Sequence, residues 1–138
     1  MAQPNDGRQY PLLGLADIAF GDNDPATGVE SDAMELPSGA TVIGGSVIVD
    51  VVSDAVTSDV VDIGDADDPN RYTTSGAVDL KTLGATALDL SEFVSTDINH
   101  MISMTRVEVG GSKSQGSFRL QVQYMVADRS NENQGDVK

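Results

Sequence analysis

His100 is the single histidine of a chain with no cysteine, so chemistry at neutral pH has one imidazole to draw on and no thiolate. It follows Asn99 in a β-prone run, and nothing around it marks a general base. Serines are abundant, yet none sits in the Gly-x-Ser-x-Gly elbow that would expose a nucleophile beside such a base. A catalytic His100 is therefore not expected. The glycines from Gly39 to Gly45 precede a strand instead of opening a helix, and no Gly-Lys-Ser/Thr follows them, so nucleotide phosphates have no cradle. Carboxylates are plentiful enough to supply an acid/base pair by counting alone. The aromatic platforms that accompany sugar sites are scarce, with three tyrosines, three phenylalanines and no tryptophan. No catalytic residues are assigned, and the chain reads as a non-enzyme.

The best metal candidate is Asp65-Ala66-Asp67-Asp68, where closely spaced carboxylates in a loop could offer Ca²⁺ hard oxygen ligands; Asp22-Asn23-Asp24 is a second. Neither fits the Asp-x-Asp-x-Asp-Gly spacing, with Glu at the twelfth position, of an EF-hand loop. Acidic surface turns without a metal are far commoner, so no cofactor is expected.

These residues must be carried by short strands. From Leu12 to Phe20 the chain is apolar until Gly21-Asp22-Asn23-Asp24-Pro25 stops it. Val29 to Leu36 reads as an edge strand guarded by acidic residues. Ala40 to Val52 reads as a central strand, with Ile43, Val47, Val49 and Val51 on one face and a bulge or close backbone approach at Gly44-Gly45. Val56 to Ile63 looks like its hairpin partner. The loop Gly64 to Tyr72 follows, and Ala77 to Gly84 fits either a helical turn or a short strand. Leu88 to Val94 and Asn99 to Val109 are β-prone. The Gly110 to Gly116 segment reads as a turn into the clearest strand of all, in which Phe118, Leu120, Val122, Tyr124 and Val126 alternate with more polar neighbours. The organisation expected is a polar N-terminal arm over residues 1–11, one all-β domain over 12–128 and a polar tail over 129–138. About seven to eight short strands make that domain a β-sandwich or a jelly-roll-like barrel.

Length fits a single core, and the near absence of aromatics leaves Val, Ile, Leu, Ala and Met to build it. The net charge of −14 argues against nucleic acid, which needs a basic patch to displace counterions. The longest near-apolar run, Val42 to Val52, falls short of the roughly 20 residues that span a bilayer. The first residues lack the basic and apolar regions of a signal peptide, so assembly in a cytoplasm is expected. Through Asn70 there are 14 acidic residues against Arg8 alone, and from Arg71 onward 8 against 7. An acidic half of this kind can keep copies apart until a partner neutralises it, although a merely solvated surface is the simpler explanation. Arg8, Tyr10 and Pro11 are the residues with which the arm could anchor.

The run Leu36-Pro37-Ser38-Gly39-Ala40-Thr41-Val42-Ile43-Gly44-Gly45, then Gly64-Asp65 and Asn70-Arg71-Tyr72, and finally Val122-Gln123-Tyr124-Met125-Val126-Ala127-Asp128-Arg129-Ser130, resembles a family of small virion proteins of tailed phages. These are the head decoration, or cement, proteins. The likeness covers roughly residues 36–130 and rests on turn residues and strand patterns. It implies a non-catalytic protein on the capsid exterior that binds the major capsid protein, often as a homotrimer at three-fold or quasi-three-fold positions. Arg8, Tyr10, Arg71 and Tyr72 are then the candidate contact residues. Tyr72 has a second reading, as a cover for the core with Arg71 paired to the nearby aspartates. A tail or fibre module that recognises a host receptor or glycan would share the architecture, and the low aromatic content counts against it.

Overall fold

The computed structural model describes residues 10–93, 100–111 and 113–126. Arg8, Asn99 and the 129–138 tail lie outside them. The chain forms β1 (Leu12–Ala19), β2 (Glu30–Leu36), β3 (Ala40–Val51), β4 (Ser58–Gly64), β5 (Val78–Asp79), β6 (Gly84–Ala87), β7 (His100–Val109) and β8 (Ser117–Val126). Among the described residues no helix is long and apolar enough to cross a membrane.

Two four-stranded antiparallel sheets stack, in the orders β1-β8-β3-β6 and β2-β7-β4-β5. The first strand pairs with the last, the second with the seventh, the third with the sixth and the fourth with the fifth. That nesting is a long hairpin rolled into two layers, the jelly roll. Between the layers lie Val42, Val47, Val49, Leu120 and Val122 from one side, and Leu36, Val61, Ile63, Ile102 and Met104 from the other. Each fully buried aliphatic side chain stabilises the fold by roughly 1.5–3 kcal/mol. Branched side chains at period two suit this thin core.

Several local expectations hold and several do not. β2 is an edge strand, with Glu30, Asp32 and Glu35 exposed. β8 buries Phe118, Leu120 and Val122 as its alternation predicts. A bulge does lie at Gly44-Gly45, where the register with β8 shifts between Val42 and Gly44. Gly45 has φ 144, and a β-carbon there would lie 2.2 Å from the Gln121 carbonyl oxygen, so only glycine fits. The bulge flips the face assignment, so that Val42 is buried and Ile43 exposed, and a second register shift, between Val49 and Val51, leaves Val51 exposed instead of joining Val47 and Val49.

The two expected hairpins are absent. β3 and β4 belong to opposite sheets, because the residues between them cross the layer gap, with Ser53 N–H bonded to the Leu80 carbonyl and Thr57 N–H to that of Val109. β7 and β8 are likewise in opposite sheets, so the connection between them passes from one layer to the other and is not a turn within one. Leu88 to Phe93 is no strand; Leu88, Leu90 and Phe93 fold as a loop against the core, and Val94 lies outside the described residues. The ambiguous segment from Ala77 to Gly84 contains the two-residue β5 followed by a turn.

Candidate functional site

Gly64 ends β4 at a place where a β-carbon would lie 2.1 Å from the Asp68 carbonyl oxygen, which lets the chain fold back tightly over Asp65 to Asp68. Asp65 Oδ1 accepts the N–H groups of Asp67 and Asp68, and its Oδ2 accepts Arg71 Nε at 2.6 Å. Burial opposes ionisation of Asp65, but the Arg71 guanidinium and these amides outweigh it and hold its pKa below the ordinary value. Arg71 also donates to the Glu92 carbonyl. The cation position of this loop is thus filled by a guanidinium. Among the described residues no group of three or more His, Asp or Glu is placed to hold a metal ion.

Tyr72 is 0% exposed. Its ring meets His100 edge-on at 6.2 Å, and its hydroxyl lies 2.8 Å from His100 Nε2, which is 3.7 Å from Asp65 Oδ2. The set Tyr72, His100, Asp65 and Arg71 has the residue types of an acid–base relay. Burial, then the Asp65 carboxylate, push the Tyr72 hydroxyl up to about 12, the opposite of what a working acid or nucleophile needs. This cluster fastens the β4–β5 loop to the start of β7. Of the sequence-proposed contact residues, Tyr72 is therefore a core cover with Arg71 paired to Asp65, Tyr10 is 62% exposed, and Arg8 lies outside the described residues.

A second cluster has no counterpart in the sequence reading. Asp59 is 0% exposed and accepts Ser53 Oγ at 2.7 Å, Arg106 Nη1 at 3.1 Å and Lys113 Nζ at 3.3 Å. Asp24 reaches Arg106 Nε at 3.1 Å and Lys113 Nζ at 2.9 Å, Glu108 reaches Arg106 Nη1 at 2.8 Å, and the Pro25 carbonyl accepts from the same guanidinium. Burial works against the Arg106 charge, and the bonds to Glu108 and Asp59 outweigh it, raising its pKa further. Every ion in the group has an opposite charge and hydrogen bonds, which is the condition for burying charge at all. The cluster ties the β1–β2, β3–β4 and β7–β8 connections at one end of the roll. A periodicity signal did exist: Asp59 falls in phase with Val61 and Ile63, and Arg106 with Ile102 and Met104.

The cavity beside Asp59, between Ile18, Leu80 and Phe118, measures about 10 Å³. A wider groove of about 240 Å³ between β5 and β6 has Asp79 as its carboxylate, and that side chain is taken up by Lys81 N–H and Thr82 Oγ1.

The outer faces of the sandwich differ in charge. On the β2-β7-β4-β5 sheet, the charged residues in phase with Thr105 are Glu30, Asp32, Glu35, Asp62 and Asp79, with no Lys or Arg among them, and Met101, Val107 and Val109 share that face. On the β1-β8-β3-β6 sheet, the rows Leu13–Gln123–Gly44 and Leu15–Gln121–Ser46–Ala87 carry no charge, and Asp17, Arg119 and Asp50 sit toward one end.

No family model matches the chain, and no curated protein matches it in sequence. Solved structures do match. A chain of the cyanophage Pam1 capsid asymmetric unit superposes with a TM-score of 0.67 at 19% identity, covering 91% of this chain and 89% of that one. The fold is one used in phage capsids. A chain of the Ralstonia phage GP4 capsid matches with a TM-score of 0.55 at 20% identity over 91% of this chain and 89% of that one. A chain of the acid-stable capsid of Helicobacter pylori bacteriophage KHP30 gives 0.53 at 21% over 82% and 86%. At these identities the jelly roll is what is shared; the side chains on its surface are this protein's own.

Proposed function

We propose that this chain is a non-catalytic structural protein of a phage virion, which binds the outer surface of the capsid and stabilises contacts between major capsid subunits. The observation that carries the reading is a jelly roll common, over about nine-tenths of its length, to chains of two phage capsid structures, with a third close behind. The side-chain clusters agree with it: both are consumed in holding loops. A cement protein needs a rigid block with a face matched to its lattice.

The acidic outer face, with Glu30, Asp32, Glu35, Asp62 and Asp79, is the surface we assign to a basic capsid lattice, since complementary fields steer docking and fix orientation. Tyr10, at the mouth of the arm that carries Arg8, is the contact anchor we favour, with Arg71 beside the acidic loop as a secondary one. Three copies around a three-fold or quasi-three-fold position would multiply weak contacts into avidity.

Cryo-electron microscopy of virions from the source phage tests the proposal. Density for this jelly roll on the capsid exterior at three-fold or quasi-three-fold positions is the expected result. Density on the tail alone would replace it with receptor or glycan recognition, and absence from the particle would remove the virion role altogether.

A further inference from the structure

The sandwich edges are finished in different ways. β2 is guarded by Glu30, Asp32 and Glu35, while β5 and β6 are only two and four residues long. β1 is eight residues long and uncharged from Leu12 to Ala16. Its register with β8 continues through Phe20 N–H bonded to the Gly116 carbonyl, so the even-numbered residues face β8. The backbone groups of Leu13, Leu15, Asp17 and Ala19 therefore point to the open side. At one end Asn23 folds over them: its carboxamide accepts Ala19 N–H at 2.9 Å and donates to the Asp17 carbonyl at 2.6 Å, as a neighbouring strand would. Leu13 and Leu15, 58% and 51% exposed, have no such cover among the described residues.

We propose that this edge pairs with a second copy of the chain, β1 against β1, antiparallel about a two-fold axis through Gly14. In that register Leu13 faces Leu15 of the second copy and exchanges both backbone bonds with it, and symmetry repeats the exchange. The leucine side chains then form one patch on the outer face. Pro11, which has no N–H, faces Asp17, whose carbonyl is already bonded to Asn23. The missing donor thus meets a filled acceptor, and Asp17 N–H is left to reach the Pro11 carbonyl. Slipping by two residues breaks this match. One direction sets Pro11 opposite Leu15 and orphans its carbonyl; the other sets Leu13 N–H against the filled carbonyl of Asp17. A one-residue slip opposes outward groups with inward ones and forms no ladder.

Charge also fits a second copy, because the only charged side chain on β1, Asp17, meets no like charge across the pair. The net charge of −14 on each copy opposes approach at long range, so salt strengthens the pairing. A strand edge with two leucines per copy covers less than the roughly 1,200 Å² of a stable standard interface. Pairing is accordingly weak in free solution and gains when copies are held side by side.

The chain has no cysteine of its own, so engineered thiols report the register directly. A mixture of Leu13→Cys and Leu15→Cys proteins, oxidised at high protein concentration and moderate salt, is expected to give a cross-linked dimer through unlike subunits. Either variant alone is expected to stay at background. The Leu13→Lys, Leu15→Lys double variant, checked for folding by circular dichroism, should lose concentration-dependent association through this edge. Equal cross-linking in all three samples would overturn the register. No cross-link in the mixture would overturn self-pairing, and if the lysine variant also failed to bind capsids, the edge would belong to an extended capsid segment. The cysteine readout is made on free protein, so it is independent of whether the virion reading holds.

Discussion

Removing the carboxylate of Asp59 leaves Arg106 and Lys113 short of a partner in a buried setting, and stranding buried charge costs about 3–5 kcal/mol. Asp59→Ala is expected to lower the free energy of unfolding by that amount, read from the shift of the denaturant midpoint. The exposed Asp50–Arg119 pair, broken by Asp50→Ala, should cost under about 1 kcal/mol. At Tyr72, loss of the ring and loss of the hydroxyl separate in the same assay. Tyr72→Ala should cost about 3–5 kcal/mol and Tyr72→Phe about 1 kcal/mol, the latter being the bond to His100. The hydroxyl also makes an alkaline prediction. Its folded pKa of about 12 lies above the ordinary 10.0, so its contribution is full below 10.0 and is lost as pH rises toward 12. A phenolate absorbance step in that window, missing in Tyr72→Phe, is the expected signature.

Elements were legible where the signal is local. The alternation in β8, the acidic guard on β2 and the glycine bulge in β3 are each written within a few residues and appear where they were read. Which strand pairs with which was not. The expected hairpins assumed that neighbours in sequence share a sheet, whereas six of the seven connections here change layer. Nothing in residues 52–57 or 110–116 announces a layer change; it is decided by backbone partners far along the chain, such as Leu80 and Val109. The buried ions escaped for the same reason, since Asp24, Asp59, Arg106 and Lys113 come from four segments. The connections make a prediction of their own. Asp54 binds Ser114 through side chain and backbone and Gln115 through its N–H, and these bonds lower its pKa from 3.8 to about 2. A depressed acid contributes stability that is full above 3.8 and lost as pH falls toward 2. Asp54→Asn is therefore expected to flatten the acid limb of the stability curve, and amide exchange across 114–116 should quicken in that range.

For the molecule as a whole, the contrast between an acidic outer face and a nearly uncharged one makes orientation on a lattice an electrostatic matter. Asp32→Asn with Glu35→Gln leaves the core untouched, so melting should move by less than about 0.5 kcal/mol per site. Capsid binding, measured by co-sedimentation with particles lacking the protein, should weaken and lose part of its salt dependence. Unchanged binding at low salt would assign docking to another face.

The nesting of first strand on last has a temporal side. Leu12 lies beside Tyr124 and Ala19 beside Ser117, so the earliest strand to leave a ribosome waits for nearly the whole domain before its neighbour emerges. During synthesis the Leu12 to Ala16 segment is an unpaired, uncharged edge, and folding must close its widest loop to satisfy it. Non-local topologies of this kind fold in milliseconds to seconds, not microseconds. The mature block can therefore form only after translation has passed Val126.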